Sequence, residues 1–349
     1  MSRPLTVVQL LPALNAGGVE RGTLEIAAAL VADGHRSIVI SAGGKLVAPL
    51  VAGGSEHIVL DVGRKSLVSL WLVPKLRRLF AELGTDLVHA RSRLPAWLTW
   101  LAWRGMDART RPRFLTTMHG LNSVNAYSGI MARGERVICV SQTVREHILA
   151  HYPKTDPARL RVIPRAVDPL EFPNGHRPDG DWRKRFIGEH PALASPAPWL
   201  CLAGRGTRMK GHGHAIRLVA DLRESGIETR LVLLGVREPG RTHYVDELRA
   251  LANRHGVADA VVMTVPRRDV RDVMAASALV LQLSSKPEAF GRTVVEALNL
   301  GVPVLAVLRD TQNYVQAAAH GMTIFDLSLS RSTQDRAQWQ PIIEWIGAT

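Results

Sequence analysis

The sequence predicts an α/β chain made of two doubly wound, Rossmann-like domains facing a cleft. Short apolar, β-branched runs alternate with longer stretches whose apolar residues recur at helical spacing. That alternation breaks once, in a proline-rich segment, and then starts again. With 349 residues, 46% hydrophobic and 21% charged, the chain is long enough for two cores.

The first series of strands is expected at Thr6–Leu11, Ser37–Ser41, His57–Leu60, Asp86–Ala90, Phe114–Met118, Arg136–Val140 and Arg161–Ile163. Each is a run of three to six mostly apolar residues, as in a parallel sheet covered on both faces. The stretches Val19–Asp33, Leu67–Leu83, Pro95–Arg104 and Gln142–His151 repeat apolar residues every three or four positions and read as helices. Residues 164–198 hold seven prolines together with Asn174-Gly175 and Asp179-Gly180, and read as linker and loop. This sets a first domain at 1–165 and a second at 166–349. The second series places strands at Trp199–Ala203, Arg230–Leu234, Ala260–Met263, Leu279–Leu281, Val302–Ala306 and Met322–Phe325. Its helices are Gly213–Ser225, Val245–His255, Asp269–Ala276, Arg292–Leu300, Thr311–His320 and Ser332–Ile346. In such sheets ligands bind beyond the carboxyl ends of the strands.

Composition narrows the classes of function. The longest apolar runs, such as Leu94–Trp103, fall short of the roughly 20 residues of a spanning helix, and no leader-peptide pattern is visible at the N-terminus. The expectation is a cytoplasmic protein. Cys139 and Cys201 sit in apolar strand-like runs and read as buried, reduced thiols. Net charge is +13, and residues 1–168 hold 22 Lys/Arg against 12 Asp/Glu. A basic first half favours an anionic partner, whether nucleic acid, an anionic membrane face or a phosphorylated acceptor. The arginines are scattered and no nucleic-acid motif occurs, so nucleic acid is not the expected partner.

Four segments could carry chemistry. Gly17-Gly18 lies between the first strand and the first helix, where paired glycines let a ligand approach unpaired N–H groups. The spacing is not GxGxxG, and a tight strand-to-helix turn fits it equally. His119-Gly120 directly follows a strand, where α/β sites form; a lone histidine is more often structural. Gly204-Arg205-Gly206-Thr207-Arg208-Met209-Lys210-Gly211 offers cations five positions apart, suited to a diphosphate, although a solvated basic loop would look the same. Glu288 and Glu296 lie eight positions apart around Phe290-Gly291, with Gly301-Val302-Pro303-Val304 after them. Carboxylates are strong acceptors for sugar hydroxyls.

Taken together these segments resemble the GT-B retaining glycosyltransferases of family 4, group 1, of the kind that builds lipopolysaccharide cores and polysaccharides. The likeness runs from about residue 5 to about residue 305. It implies that Gly17, Gly18, Arg205, Lys210, Phe290, Gly291 and Glu296 bind the donor, with Arg205 and Lys210 on its pyrophosphate and Glu296 on the ribose. His119 and Glu288 are implied to contact the transferred sugar as the catalytic residues, and the nucleobase to lie near Gly235 and Val265–Arg268. Outside the proline-rich segment, where Asp179-Gly180-Asp181 occurs, there is no Asp-x-Asp motif, and no His/Cys cluster has metal-ligand spacing. The resemblance implies a UDP- or ADP-linked sugar as co-substrate, with no cofactor and no metal. The implied enzyme is a hexosyl- or heptosyltransferase acting on a lipid-linked or polysaccharide acceptor. A nucleotide-sugar 2-epimerase of the same architecture is the alternative, and a basic nucleic-acid-binding protein a more distant one.

Departures from the family are visible. Arg165-Ala166 stands where Asn-Gly is usual, and a turn needing positive φ would sit poorly on alanine. Ala289 replaces a frequent proline, and Leu308–Asn313 lacks the usual glycines. Trp71, Trp97, Trp100 and Trp103 are interleaved with Lys75, Arg77, Arg78, Arg91, Arg93, Arg104, Arg109, Arg111 and Arg113. This pattern fits either a peripheral contact with an anionic inner-membrane surface or ordinary helices packed on a sheet.

Overall fold

The structure, a computed structural model, describes residues 3–302 other than 16, 239, 241 and 287, together with Thr333. The chain divides into two compact units, Met1–Arg165 with Glu288–Phe290, and Ala166–Pro287 with Gly291–Thr349.

In the first unit the elements run β1 (Thr6–Leu10), α1 (Gly18–Ala32), β2 (Arg36–Ser41), α2 (Val47–Ala52), β3 (Glu56–Val59), α3 (Leu72–Glu82), β4 (Leu87–Ala90), α4 (Arg93–Arg104), β5 (Arg113–Met118), β6 (Arg136–Cys139), α5 (Gln142–His151) and β7 (Leu160–Val162). The strands form one sheet in the order β3-β2-β1-β4-β5-β6-β7, every neighbouring pair parallel. The strand residues are apolar on both faces because helices cover both, and Val8, Leu10, Ile38, Ile40, Val88 and Phe114 are wholly buried. The order reverses between β1 and β4. That places the topological switch point beyond the carboxyl ends of these two strands.

The stretch expected as one helix over Leu67–Leu83 is two elements, a 3₁₀ turn at Leu67–Trp71 followed by α3. Ser66 caps the turn with its hydroxyl on the Val68 N–H. Leu76 and Phe80 of α3 turn into the core. Val68, Leu70 and Trp71 are exposed, Trp71 by 79%.

The second unit contains α6 (Gly180–Glu189), β8 (Trp199–Ala203), α7 (His212–Glu224), β9 (Arg230–Leu234), α8 (Thr242–Arg254), β10 (Val261–Met263), α9 (Val270–Ala275), β11 (Leu279–Val280) and α10 (Arg292–Asn299). Its described sheet is parallel in the order β10-β9-β8-β11. Here the order reverses between β8 and β11. The expected elements Val302–Ala306, Thr311–His320, Met322–Phe325 and Ser332–Ile346, and the loop Leu308–Asn313, lie outside the described residues apart from Val302 and Thr333.

Reading 164–198 as linker requires correction, since it contains α6. The Asp179 carboxylate accepts from the Trp182 N–H at 2.5 Å and starts the helix. Trp182 and Phe186, four positions apart, stack at 5.0 Å and are buried. The Trp182 indole N–H donates to Asp269 at 2.9 Å. Three large apolar residues in ten, Trp182, Phe186 and Ile187, leave too thin a periodic signal to see among the prolines. Removing the cap in Asp179→Ala should cost about 1 kcal/mol, read as a lowered urea midpoint at unchanged m-value.

Both cysteines are free and buried, and burial pushes the Cys139 thiol up to about 11 and that of Cys201 to about 12. Trp97, Trp100 and Trp103 pack against the first unit's core, half-buried. The Trp97 and Trp103 indoles donate to the Tyr127 and Pro112 carbonyls, and Arg111 lies 3.5 Å over the Trp103 ring. These three tryptophans are therefore packing residues, whereas Trp71 is a surface one.

Candidate active site

In the first unit, three segments that follow strands come together. The Gly17-Gly18 turn follows β1, Arg91 directly follows β4, and His119 directly follows β5. Gly17 has φ 139°, a conformation side-chain-bearing residues rarely adopt. A Cβ there would lie 2.6 Å from Glu20 Oε2, and one on Gly18 would lie 2.5 Å from Arg165 Nη1. The start of α1 is thus bare because a guanidinium and a carboxylate lie against it.

Arg91 is only 4% exposed, and its Nη1 donates to Gln9 Oε1 on β1 at 3.1 Å. Burial first, and then the nearby Arg165 charge, lower its pKa to about 10, with Glu25 acting the other way. His89, the weaker sequence candidate, is a packing residue, buried with its Nε2 2.6 Å from Thr117 Oγ1. Arg165 Nη2 donates to His119 Nδ1 at 2.6 Å. A guanidinium can only donate, so Nδ1 must accept and the His119 proton resides on Nε2. Burial, with Arg91, Arg165 and His89 nearby, holds His119 well below the usual histidine range, in its neutral form. His119 is therefore a neutral N–H donor through Nε2. Arg165 performs this role without strain at the following residue, because no described non-glycine residue, Ala166 included, has positive φ.

In the second unit, the Gly204–Gly211 loop follows β8 at that sheet's switch point, and the segment after β11 lies against it. Ser285 N–H donates to the Met209 carbonyl at 2.9 Å. A Cβ on Gly204 would lie 3.4 Å from Lys210 Cγ and Cδ, so the Lys210 stem lies across the loop's first glycine. The intervening Arg208 is tied away, paired with Glu247 at 2.5 Å. Arg205 is an exposed side chain.

Next to this loop His212 is wholly buried at the start of α7, its Nδ1 3.2 Å from the Tyr244 hydroxyl. Burial lowers its pKa to about 4 from the ordinary 6.5. The unfolded chain therefore binds this proton more readily than the folded one. The associated stability is complete above about pH 6.5 and is lost as the pH falls toward about 4. The slope should be about 1.4 kcal/mol per pH unit. Urea melts between pH 7 and 4 should show this loss, and a His212→Gln variant should show a shallower one.

Glu296 is 8% exposed within α10, and its Oε1 accepts from Arg292 Nε at 2.8 Å. Gly291 is the residue that opens this helix. Glu288 precedes it and is half-buried. The expected donor set is thereby divided: Glu288 and Phe290 group with the first unit, whereas Gly291, Glu296, Arg205 and Lys210 belong to the second. Arg165 and Arg292 had no assigned role in the sequence, and Arg91, read there among the arginines interleaved with tryptophan, is instead buried. Only Arg292 had a local signal, its i,i+4 spacing to Glu296.

Residues 16–170 match glycosyltransferase family 4, and residues 185–324 match glycosyl transferases group 1. The chain belongs to the glycosyltransferases of family 4, group 1. This group 1 glycosyltransferase is 30% identical over 235 residues to a D-inositol 3-phosphate glycosyltransferase of Xylanimonas cellulosilytica, an alignment covering 63% of this chain and 55% of the relative. It thus spans about half the length of that curated relative. A crystal structure of a glycosyltransferase from Rickettsia africae superposes with a TM-score of 0.73 at 25% identity, over 99% of this chain and 96% of the other. Anabaena HepE in complex with UDP-glucose gives a TM-score of 0.70 at 21% identity, over 86% of this chain and 79% of HepE. These neighbours establish the GT-B fold of the group 1 glycosyltransferase. Among the described residues no three His, Cys, Asp or Glu side chains group as metal ligands, and no helix is long and apolar enough to cross a membrane.

Proposed function

We propose that the protein transfers a hexosyl or heptosyl unit from a nucleotide-diphosphate sugar to an acceptor hydroxyl, with retention of anomeric configuration. The observation that carries this is the cationic loop at the second unit's switch point, Arg205 and Lys210 on glycine backbone beside β8. Fixed cations there stabilise the charge that develops on the departing diphosphate. Glu296, held by Arg292, accepts from the ribose hydroxyls. Glu288 accepts from the transferred sugar, Gly17 and Gly18 admit the donor's phosphates, and backbone N–H groups at Phe290 and Gly291 support them. The neutral His119 donates through Nε2 to a sugar oxygen. In the reaction the bond from the anomeric carbon to the diphosphate oxygen breaks. The acceptor oxygen bonds to that carbon on the same face, and its proton passes to the leaving phosphate. HepE, bound to UDP-glucose, supports a UDP-linked donor. No metal is needed for this charge balance, since two cations face the two phosphates.

The acceptor in this reading is a lipid-linked or polysaccharide precursor at the inner membrane's cytoplasmic face. Val68, Leu70 and Trp71 are exposed beside exposed Arg64, Lys65, Lys75 and Arg78, a combination suited to an anionic lipid surface.

The test is nucleoside diphosphate release from a panel of UDP-, ADP- and GDP-sugars with acceptor extracts. Wild type should turn over one donor, and Glu288→Ala should fall by roughly a hundredfold or more. The reading fails if no donor is bound, or if Glu288→Ala matches wild type. An epimerised sugar nucleotide formed from donor alone would replace it with the epimerase reading.

A further inference from the structure

The first unit buries donors that its own chain does not satisfy. Arg91 Nε and His119 Nε2 are both buried without a hydrogen-bond partner. Nε2 is the protonated nitrogen, because Arg165 occupies Nδ1. A buried donor left without an acceptor costs roughly 1–3 kcal/mol, and folded chains seldom tolerate two in one place without a reason. Both follow adjacent strands, β4 and β5, at their carboxyl ends. Gln9 on β1, the other neighbour of β4, holds Arg91 in place.

The surroundings are suited to negative charge. Arg165 lies against Gly18 at the start of the 15-residue α1, where the helix presents unpaired N–H groups. Arg91 and Arg165 are close enough for their charges to oppose each other. Two acidic groups of α1 are nearby: Glu25 acts on Arg91, and Glu20 lies over Gly17. Gly22 leaves room for Arg91, whose Nη2 lies 3.1 Å from where a Cβ would be.

We propose that Arg91 and Arg165 form an oxyanion subsite of the first unit beside the Nε2–H of His119, made of residues other than the Arg205–Lys210 loop. The group it takes is a phosphoryl or carboxylate oxyanion, carried by the acceptor or by the donor. This rests on the glycosyl-transfer reading for its role in catalysis, but its existence is tested separately.

The experiment titrates inorganic phosphate into the full-length Arg205→Ala/Lys210→Ala protein by calorimetry, so that the second unit's loop does not contribute. Phosphate should bind, and adding Arg165→Gln should weaken it at least tenfold. The glutamine still offers His119 an amide donor but carries no charge. Arg91→Gln should do the same, with circular dichroism to confirm folding. No binding in the parent, or unchanged affinity in the Arg165→Gln protein whatever Arg91→Gln does, overturns the proposal. In wild type the titration is repeated with saturating UDP, ADP or GDP. Phosphate that still binds at one site marks the subsite as the acceptor's, and phosphate that is displaced marks it as the donor's. If no nucleotide binds while the phosphate result holds, the donor assignment fails and the subsite stands.

Discussion

The Arg205→Ala/Lys210→Ala protein should lose at least about a thousandfold in kcat/KM with its best nucleotide-sugar donor. One preorganised donor aimed at developing negative charge is worth about 10²–10³ in rate, and two on one diphosphate will not simply multiply. The fold should survive, because substitutions of this kind at surface positions usually change stability by less than about 0.5 kcal/mol. Circular dichroism and thermal melting check that. Arg208→Ala supplies the comparison. It sits between the two cations in sequence, but its guanidinium is paired with Glu247 on α8. Its loss should change kcat/KM by no more than about threefold. A loss in Arg208→Ala equal to that of the double variant would mean that the loop acts through general positive charge, and the assigned roles would fall.

Gly211→Ala should be the most destabilising single substitution in the loop. Gly211 has φ 77°, and a Cβ there would stand 1.9 Å from the Leu283 carbonyl oxygen. The left-handed conformation alone costs alanine roughly 1–2 kcal/mol. The clash is with backbone, so the loop after β8 or the segment after β11 must shift, at a further 1–3 kcal/mol or so. A total of about 3–4 kcal/mol corresponds to a Tm lower by about 10 °C in a domain of this size class. Nucleotide affinity should fall with it, because the shifted segments are those at the switch point. Gly105→Ala is the control. Its Cβ would also meet an atom at 1.9 Å, but the atom belongs to the Arg77 guanidinium, and no left-handed φ is involved. An exposed arginine tip can move, so this variant should melt within about 2 °C of wild type.

Much of the candidate site was legible because its residues sit at strand ends and glycine turns, which leave local marks. Gly17-Gly18 lies between an apolar run and a helical period, and so does Gly204–Gly211. The Arg91 and Arg165 roles left no such mark. Arg165 is 46 positions from His119, and Arg91 is 82 from Gln9. Nothing in the immediate neighbours of an arginine says that it will be buried. The helix α6 was missed for a related reason: its stability comes from Trp182 and Phe186 packing on distant residues and from a bond to Asp269, not from a local period. At Arg165-Ala166, where a positive-φ turn would sit poorly on alanine, the backbone takes no left-handed conformation.

The sequence by itself determined the alternation of strands and helices, the break between the two units and which residues are charged. Backbone hydrogen bonding and side-chain periodicity act over a few neighbours, so each is written locally. Tertiary structure alone decided the strand orders β3-β2-β1-β4-β5-β6-β7 and β10-β9-β8-β11, and with them which loops meet. Strand order depends on which buried faces pack together across the whole chain, a quantity that no single window contains. That packing brings the ends of β1, β4 and β5 side by side, turning Arg91, His119 and Arg165 from scattered basic residues into one site.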